Sequence, residues 1–65
     1  MFGFFNSGSD FVDIQVQEGV SHWRNIKSVA NNSGIISMSM MEISQLYPQY
    51  RVRAVDNTGR LLDML

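Results

Sequence analysis

The feature that most narrows what this chain can fold into lies near its end: Asp56-Asn-Thr-Gly59, a run of turn-forming residues between two apolar-rich segments. Asp at the first position and Gly at the fourth suit a type I turn followed by a left-handed glycine, the common three-residue hairpin connection with a bulge at the glycine. The sequence therefore predicts a hairpin that pairs residues 50–56 with 60–65 around Asn57, Thr58 and Gly59. Counting outward from the turn, Asp56 is expected to face Arg60, Val55 to face Leu61, Ala54 Leu62, Arg53 Asp63 and Val52 Met64. One face then carries Val52, Ala54, Leu62 and Met64 and is expected to lie on a helix. The other mixes Val55, Leu61 and Leu65 with Arg51, Arg53 and Asp63, too apolar for open water and too charged for a core, as at an interface or a site wall.

Upstream, Pro48 cannot donate a backbone hydrogen bond and restricts Tyr47, so a helix is expected to end near residue 46 or 47. Within it Ile36, Met40, Ile43 and Tyr47 recur at steps of four, three and four, with Ser39 and Leu46 alongside, which traces one helical face. Asn32 or Ser33 is the expected N-cap, with Ser39-Met-Met-Glu42 as a competing, later start. Residues 11–18 alternate, Val12, Ile14 and Val16 against Asp13, Gln15 and Gln17, as a half-buried strand requires. Gly19 ends that strand. Residues 22–30 place Trp23, Ile26 and Val29 at intervals of three yet are rich in β-branched and aromatic side chains, and a strand antiparallel to the first is favoured over a helix. The expected fold is thus α+β, in the order ββαββ, a small antiparallel sheet with one helix on one face. Residues 1–9, an apolar tip ahead of Asn6-Ser-Gly-Ser, form an expected flexible joint, and residues 10–65 the single domain.

Size then bears on assembly. A chain of 65 residues buries only about 60% of the surface its unfolded form exposes, and one small core rarely gives more than roughly 3 to 5 kcal/mol. There is no cysteine to staple it, and one His with six acidic residues shows no metal-ligand spacing. With 45% of residues hydrophobic and 17% charged, a second copy of the chain is the expected support, giving a homodimer or higher homo-oligomer. A formal net charge of -1 argues against duplex nucleic acid, which needs a basic stripe. The start, Met1-Phe-Gly-Phe-Phe5, lacks the basic residues and length of a signal sequence, and no run reaches the roughly 18 apolar residues of a membrane span. A soluble, cytoplasmic protein without a cofactor is expected, with no membrane partner.

Few residues could carry chemistry. His22 sits beside a turn with no second His and no nucleophile context, so an enzyme is not expected. Met38, Met40 and Met41 suit core or interface packing. Trp23 is the only tryptophan, a core plug or a stacking platform for a flat ligand. The set that remains is Arg51, Arg53 and Arg60, because guanidinium groups grip phosphate or carboxylate in a planar fork and stack on rings. Arg24, Trp23 and Tyr50, with Tyr47, could join them. Arg53 with Asp63 and Arg60 with Asp56 could equally be plain cross-strand pairs.

The run Tyr47-Pro-Gln-Tyr-Arg-Val-Arg-Ala-Val-Asp56, then Gly59-Arg60-Leu61 and Asp63, with His22-Trp-Arg24 earlier, resembles a pattern in small uncharacterised phage and bacterial proteins and covers roughly two thirds of the chain. That resemblance implies no activity. In size, charge and need to self-associate the chain is also similar in type to small phage proteins that sequester nucleotide immune signals. The expectation drawn from residues and resemblance together is a non-enzymatic, homo-oligomeric binding protein that holds a small anionic nucleotide-like ligand at a subunit interface. The alternative is a protein-interaction module acting through a sheet edge and the apolar N-terminal tip.

Overall fold

The computed structural model describes residues 10–65, so the tip and joint expected at residues 1–9 lie outside the described residues. The chain forms β1 (Phe11–Gly19), β2 (His22–Ala30), α1 (Ser33–Leu46), β3 (Val52–Val55) and β4 (Leu61–Met64). This succession is ββαββ, but it is not the order across the sheet, where the strands lie β2-β1-β3-β4 with every neighbouring pair antiparallel. β2 and β3 consequently run the same way with β1 between them, and α1 is the crossover that joins them over one face, a split βαβ unit.

Alternation in β1 sets the core. Val12, Ile14 and Val16 are buried beneath the helix together with Val52 and Ala54 from β3, and α1 contributes Ile36, Met40 and Ile43. Ile26, Val29 and Tyr47 close the sides. Residues 22–30 form a strand in spite of their three-residue apolar spacing, because a bulge sets both Ile26 and Lys27 against Ile14. Two neighbouring side chains then share the helix side, which a strict period of two cannot produce. The helix starts at the earlier of the two expected places, where Asn32 Oδ1 accepts the backbone N–H of Ile35 at 3.1 Å. It ends as expected before Pro48, with the Tyr47 N–H donated to the Ile43 carbonyl at 2.8 Å. Leu46, expected beside the buried face, is 68% exposed; it sits one step past Gln45, outside the stripe defined by Ile36, Ser39, Met40 and Ile43.

The closing hairpin has the expected turn and a different register. Gly59 N–H donates to the Asp56 carbonyl at 3.0 Å, and Gly59 has φ 86°, the left-handed conformation that the turn requires and that glycine adopts without strain. Val55 faces Leu61 as expected, but Ala54 then faces Asp63 and Arg53 faces Met64, because Leu62 is an extra residue on β4. The Leu65 N–H donates to the Val52 carbonyl at 3.0 Å, so Leu65, not Met64, stands against Val52. Two consecutive leucines, Leu61 and Leu62, offer no alternation by which the sequence could fix register here. The slip of one residue moves Met64 to the face of Arg53 and sends Asp63 and Leu65 to the other, so neither expected hairpin face survives intact.

Asp56 anchors the turn with one carboxylate oxygen. Oδ1 accepts the Thr58 hydroxyl at 2.6 Å, the Thr58 N–H at 2.9 Å and the Arg60 N–H at 3.0 Å. The Thr58 hydroxyl bond first, then the two amides and the nearby Arg60 charge, hold this carboxyl below its ordinary value of 3.8. A depressed carboxyl stabilises the fold above its unfolded pKa, and the contribution is lost as pH falls through the lower, folded one. Melting temperature followed from about pH 5 to about pH 2 is expected to fall less steeply in Asp56→Asn than in the parent chain; parallel acid limbs would remove Asp56 from the account.

Candidate functional site

A single helix covers one side of the sheet, so the other side presents every second residue of four strands. Register places Trp23, Asn25 and Ser28 of β2, Asp13, Gln15 and Gln17 of β1, Arg53 and Val55 of β3, and Leu61 and Met64 of β4 on this uncovered face. Its central rung reads Asn25, Gln15, Arg53, Met64. The adjoining rung reads Trp23, Gln17, Arg51, with the Gln17 N–H donated to the Arg51 carbonyl at 3.0 Å.

One hydrogen-bonded chain ties the centre together. Arg53 Nε donates to Gln15 Oε1 at 2.7 Å, and Gln15 Nε2 donates to Asn25 Oδ1 at 2.6 Å. With its stem fixed in this way, Arg53 reaches across β1 and lays its guanidinium over the Trp23 ring, 4.0 Å from the centroid. The expected Arg53 pair with Asp63 does not form; the bulge at Leu62 turns Asp63 to the other side, where its Oδ1 accepts the backbone N–H of Met64 at 2.8 Å. Arg51, two residues from Arg53 and so roughly 7 Å along the strand, rests one Nη on the Met64 thioether at 3.4 Å. Among the described residues neither Arg51 nor Arg53 is in an ion pair.

Beside this platform lies a shallow groove of about 330 Å³, lined by Gln17, Glu18, Gly19, Val20, Gln49, Tyr50 and Arg51. Arg51 and Gln17 belong to both, so platform and groove are continuous. The Tyr50 N–H is donated to the Tyr47 carbonyl at 3.1 Å, which fixes the chain beyond Pro48, and the two tyrosine rings are 6.1 Å apart.

Of the six residues the sequence singles out, the structure therefore puts Trp23, Arg53 and Arg51 on the uncovered face, sets Tyr50 beside Arg51 in the adjoining groove, and leaves two elsewhere. Arg24 stands opposite Val16 on the helix side, where its Nε donates to Glu18 Oε2 at 2.6 Å and its guanidinium lies 5.8 Å over the Tyr47 ring. The Glu18 hydrogen bond and charge raise the Arg24 pKa further above its already high ordinary value. His22 Nε2 shares the same carboxylate at 3.5 Å. Arg60 is at the far end of the hairpin, five residues of strand from Arg51, about 17 Å; Asp56 holds it there through its backbone.

Gln15, Gln17 and Asn25 complete the site and were not among the expected members. Alternation had already put Gln15 and Gln17 on the polar side of β1, but only the pairing of β1 with both β2 and β3 shows that these amides sit between the ring and the arginines. Chemically the face offers a flat cation–indole layer, three side-chain amides that can match the edge of a heterocycle, and two arginine forks without acid partners among the described residues. Among the described residues no three of His, Asp and Glu gather as metal ligands, and no helix is long and apolar enough to cross a membrane. Comparison with protein-family models, with curated proteins and with solved structures returned no match to this chain, so the chemistry of the uncovered face is what bears on function.

Proposed function

We propose that this protein is a non-enzymatic binding protein that holds a small, flat, anionic ligand of the nucleotide type on its uncovered sheet face. The observation that carries the reading is the Arg53 guanidinium, 4.0 Å over Trp23 and aimed by Gln15, with no carboxylate consuming its charge. Nε is occupied by Gln15, which leaves the Nη edge for an anionic oxygen. A heterocycle stacks on the Arg53–Trp23 layer and meets Asn25 and Gln15 at its edge, while its phosphate takes the open Nη edge of Arg53. Sequestering a nucleotide signal, the role implied by resemblance to small phage proteins, needs only this kind of tight, inert binding. The face presents donors, acceptors and a ring.

The interaction-module reading draws on a sheet edge and on the apolar N-terminal tip, of which the tip lies outside the described residues. Recognition through a sheet edge uses outward N–H and C=O groups. Since the Leu65 N–H points inward to Val52, the Met64 N–H next to it points outward, and the Asp63 carboxylate already occupies it. The β4 edge is blunted in this way, which leaves β2, the strand at the other edge, as the one that reading would use.

Isothermal calorimetry against nucleoside monophosphates, cyclic nucleotides and ADP-ribose derivatives is expected to show saturable binding of at least one class at one ligand per chain. Heats no larger than dilution across the panel at about millimolar ligand, which corresponds to less than roughly 4 kcal/mol of binding, would sink the proposal.

A further inference from the structure

The helix turns a face to solvent that does not look like a solvent face. In fourteen residues α1 carries one charge, Glu42, and that is neutralised by Lys27 at 3.1 Å. Opposite the buried stripe lie Gly34, Met38, Met41 and Gln45, at steps of four, three and four, with Met38 72% and Met41 53% exposed. Ser37 and Ser44 flank this seam on one side, Ile35 and Glu42 on the other. Exposed helix faces in solution are normally charged, whereas two methionines on a seam with heptad spacing, bordered by serines small enough for close approach, are the pattern of a helix that packs on another helix.

We infer that this face is the contact between two copies of the chain, with the two α1 helices packed antiparallel across a two-fold axis that passes between Met38 and Met41. The seam is self-complementary in that orientation. Met38 packs against the partner's Met41, Ser37 lies across from the partner's Ser44, and Ile35 approaches the partner's Glu42, whose charge its own lysine already balances. The two Glu42 side chains then lie on opposite sides of the two-fold axis, about 7.5 Å apart along the helix direction, and the helix dipoles oppose. A parallel pair would set the two carboxylates level and the dipoles alike. Area points to a modest affinity: Ile35, Met38 and Met41 together expose on the order of 170 Å² of apolar side chain, taking roughly 100 Å² for each when bare. A standard interface removes about 800 Å² per partner, a little over half of it apolar. The contact is thus a reversible dimer at the small end of specific interfaces. It lies on the opposite side of the domain from the Arg53–Trp23 platform and leaves both platforms open, so ligand heat and dimer mass report on the two ideas separately.

Sedimentation equilibrium over roughly 5 to 500 µM, the range suited to a small interface, is expected to show a monomer–dimer equilibrium. The double variant Met38→Glu/Met41→Glu is expected to weaken it at least 100-fold while far-UV circular dichroism stays that of the parent, because both side chains are exposed. Leu61→Glu, on the hairpin, is expected to leave it unchanged. The chain has no cysteine, so mixing the single variants M38C and M41C under oxidation reads the orientation directly. Mixed 38–41 disulfides are expected; same-position disulfides alone would overturn the antiparallel geometry. A strictly monomeric parent chain at the highest concentration, or a dimer that Leu61→Glu breaks and the methionine variants do not, would overturn the inference.

Discussion

Ile14→Ala is expected to leave most of the chain unfolded at 25 °C. Ile14 is wholly buried on the central strand, with Ala54 of β3 and the Ile26–Lys27 bulge of β2 as its cross-strand neighbours, and it belongs to the cluster that packs under the helix. Truncating such a side chain costs about 2 to 5 kcal/mol, and the stability of a domain this small is itself roughly 3 to 5 kcal/mol. Removal of the residue at the centre of the cluster therefore consumes most or all of the margin. Far-UV circular dichroism with a urea titration measures it directly, and Val20→Ala serves as the control, since Val20 is 97% exposed in the β1–β2 turn. A cooperative transition for Ile14→Ala at a midpoint close to that of the control would show that the core tolerates the cavity.

Arg53→Ala is expected to reduce ligand affinity about 100-fold while the chain stays folded. One charge-assisted hydrogen bond contributes roughly 1.5 to 3 kcal/mol, which is one to two factors of ten, and the variant also removes the stacking surface over Trp23. Its structural part is the half-buried cation–π contact, about 0.5 to 1 kcal/mol, and the hydrogen bond to Gln15, about 1 kcal/mol. Arg53→Lys is expected to recover little, since an ammonium neither stacks flat nor forks two oxygens. Arg60→Ala, at the far end of the hairpin, is expected to change affinity by less than twofold. Calorimetry with whichever ligand class binds the parent chain compares the three. Equal losses for Arg53→Ala and Arg60→Ala would mean that charge alone attracts the ligand and that the platform has no special part in it.

Much of the fold was legible because it rests on local periodicity. Val12, Ile14 and Val16 announce the core face of β1; Pro48 announces the end of the helix; Asp56 and Gly59 announce the turn. Three things were not. The order of strands across the sheet depends on β3 choosing β1 as its neighbour, a long-range pairing of Val52 with Val16 and Val55 with Asp13 that no window along the chain contains. The hairpin register failed at Leu61-Leu62, where both residues are apolar and either may face the core. That single slip altered the candidate site most, because it took Asp63 away from Arg53 and put Met64 there. The grouping of the candidate residues was illegible: Arg24 and Arg60 look equivalent to Arg51 in sequence and are divided from it by the sheet and by the length of the hairpin.

The Asp63–Met64 hydrogen bond on β4 has a consequence for how copies of this chain can meet. A four-stranded sheet with a free edge is a template on which strands of other molecules could stack without limit, the route to fibrils. Here a strand added beside β4 would first have to strip a carboxylate from the amide it occupies, leaving that charge against an incoming backbone carbonyl. Backbone recognition, which is indifferent to sequence, is thereby disfavoured at that edge. The other edge of the sheet is β2, nine residues long, so any strand addition is directed there and away from β4.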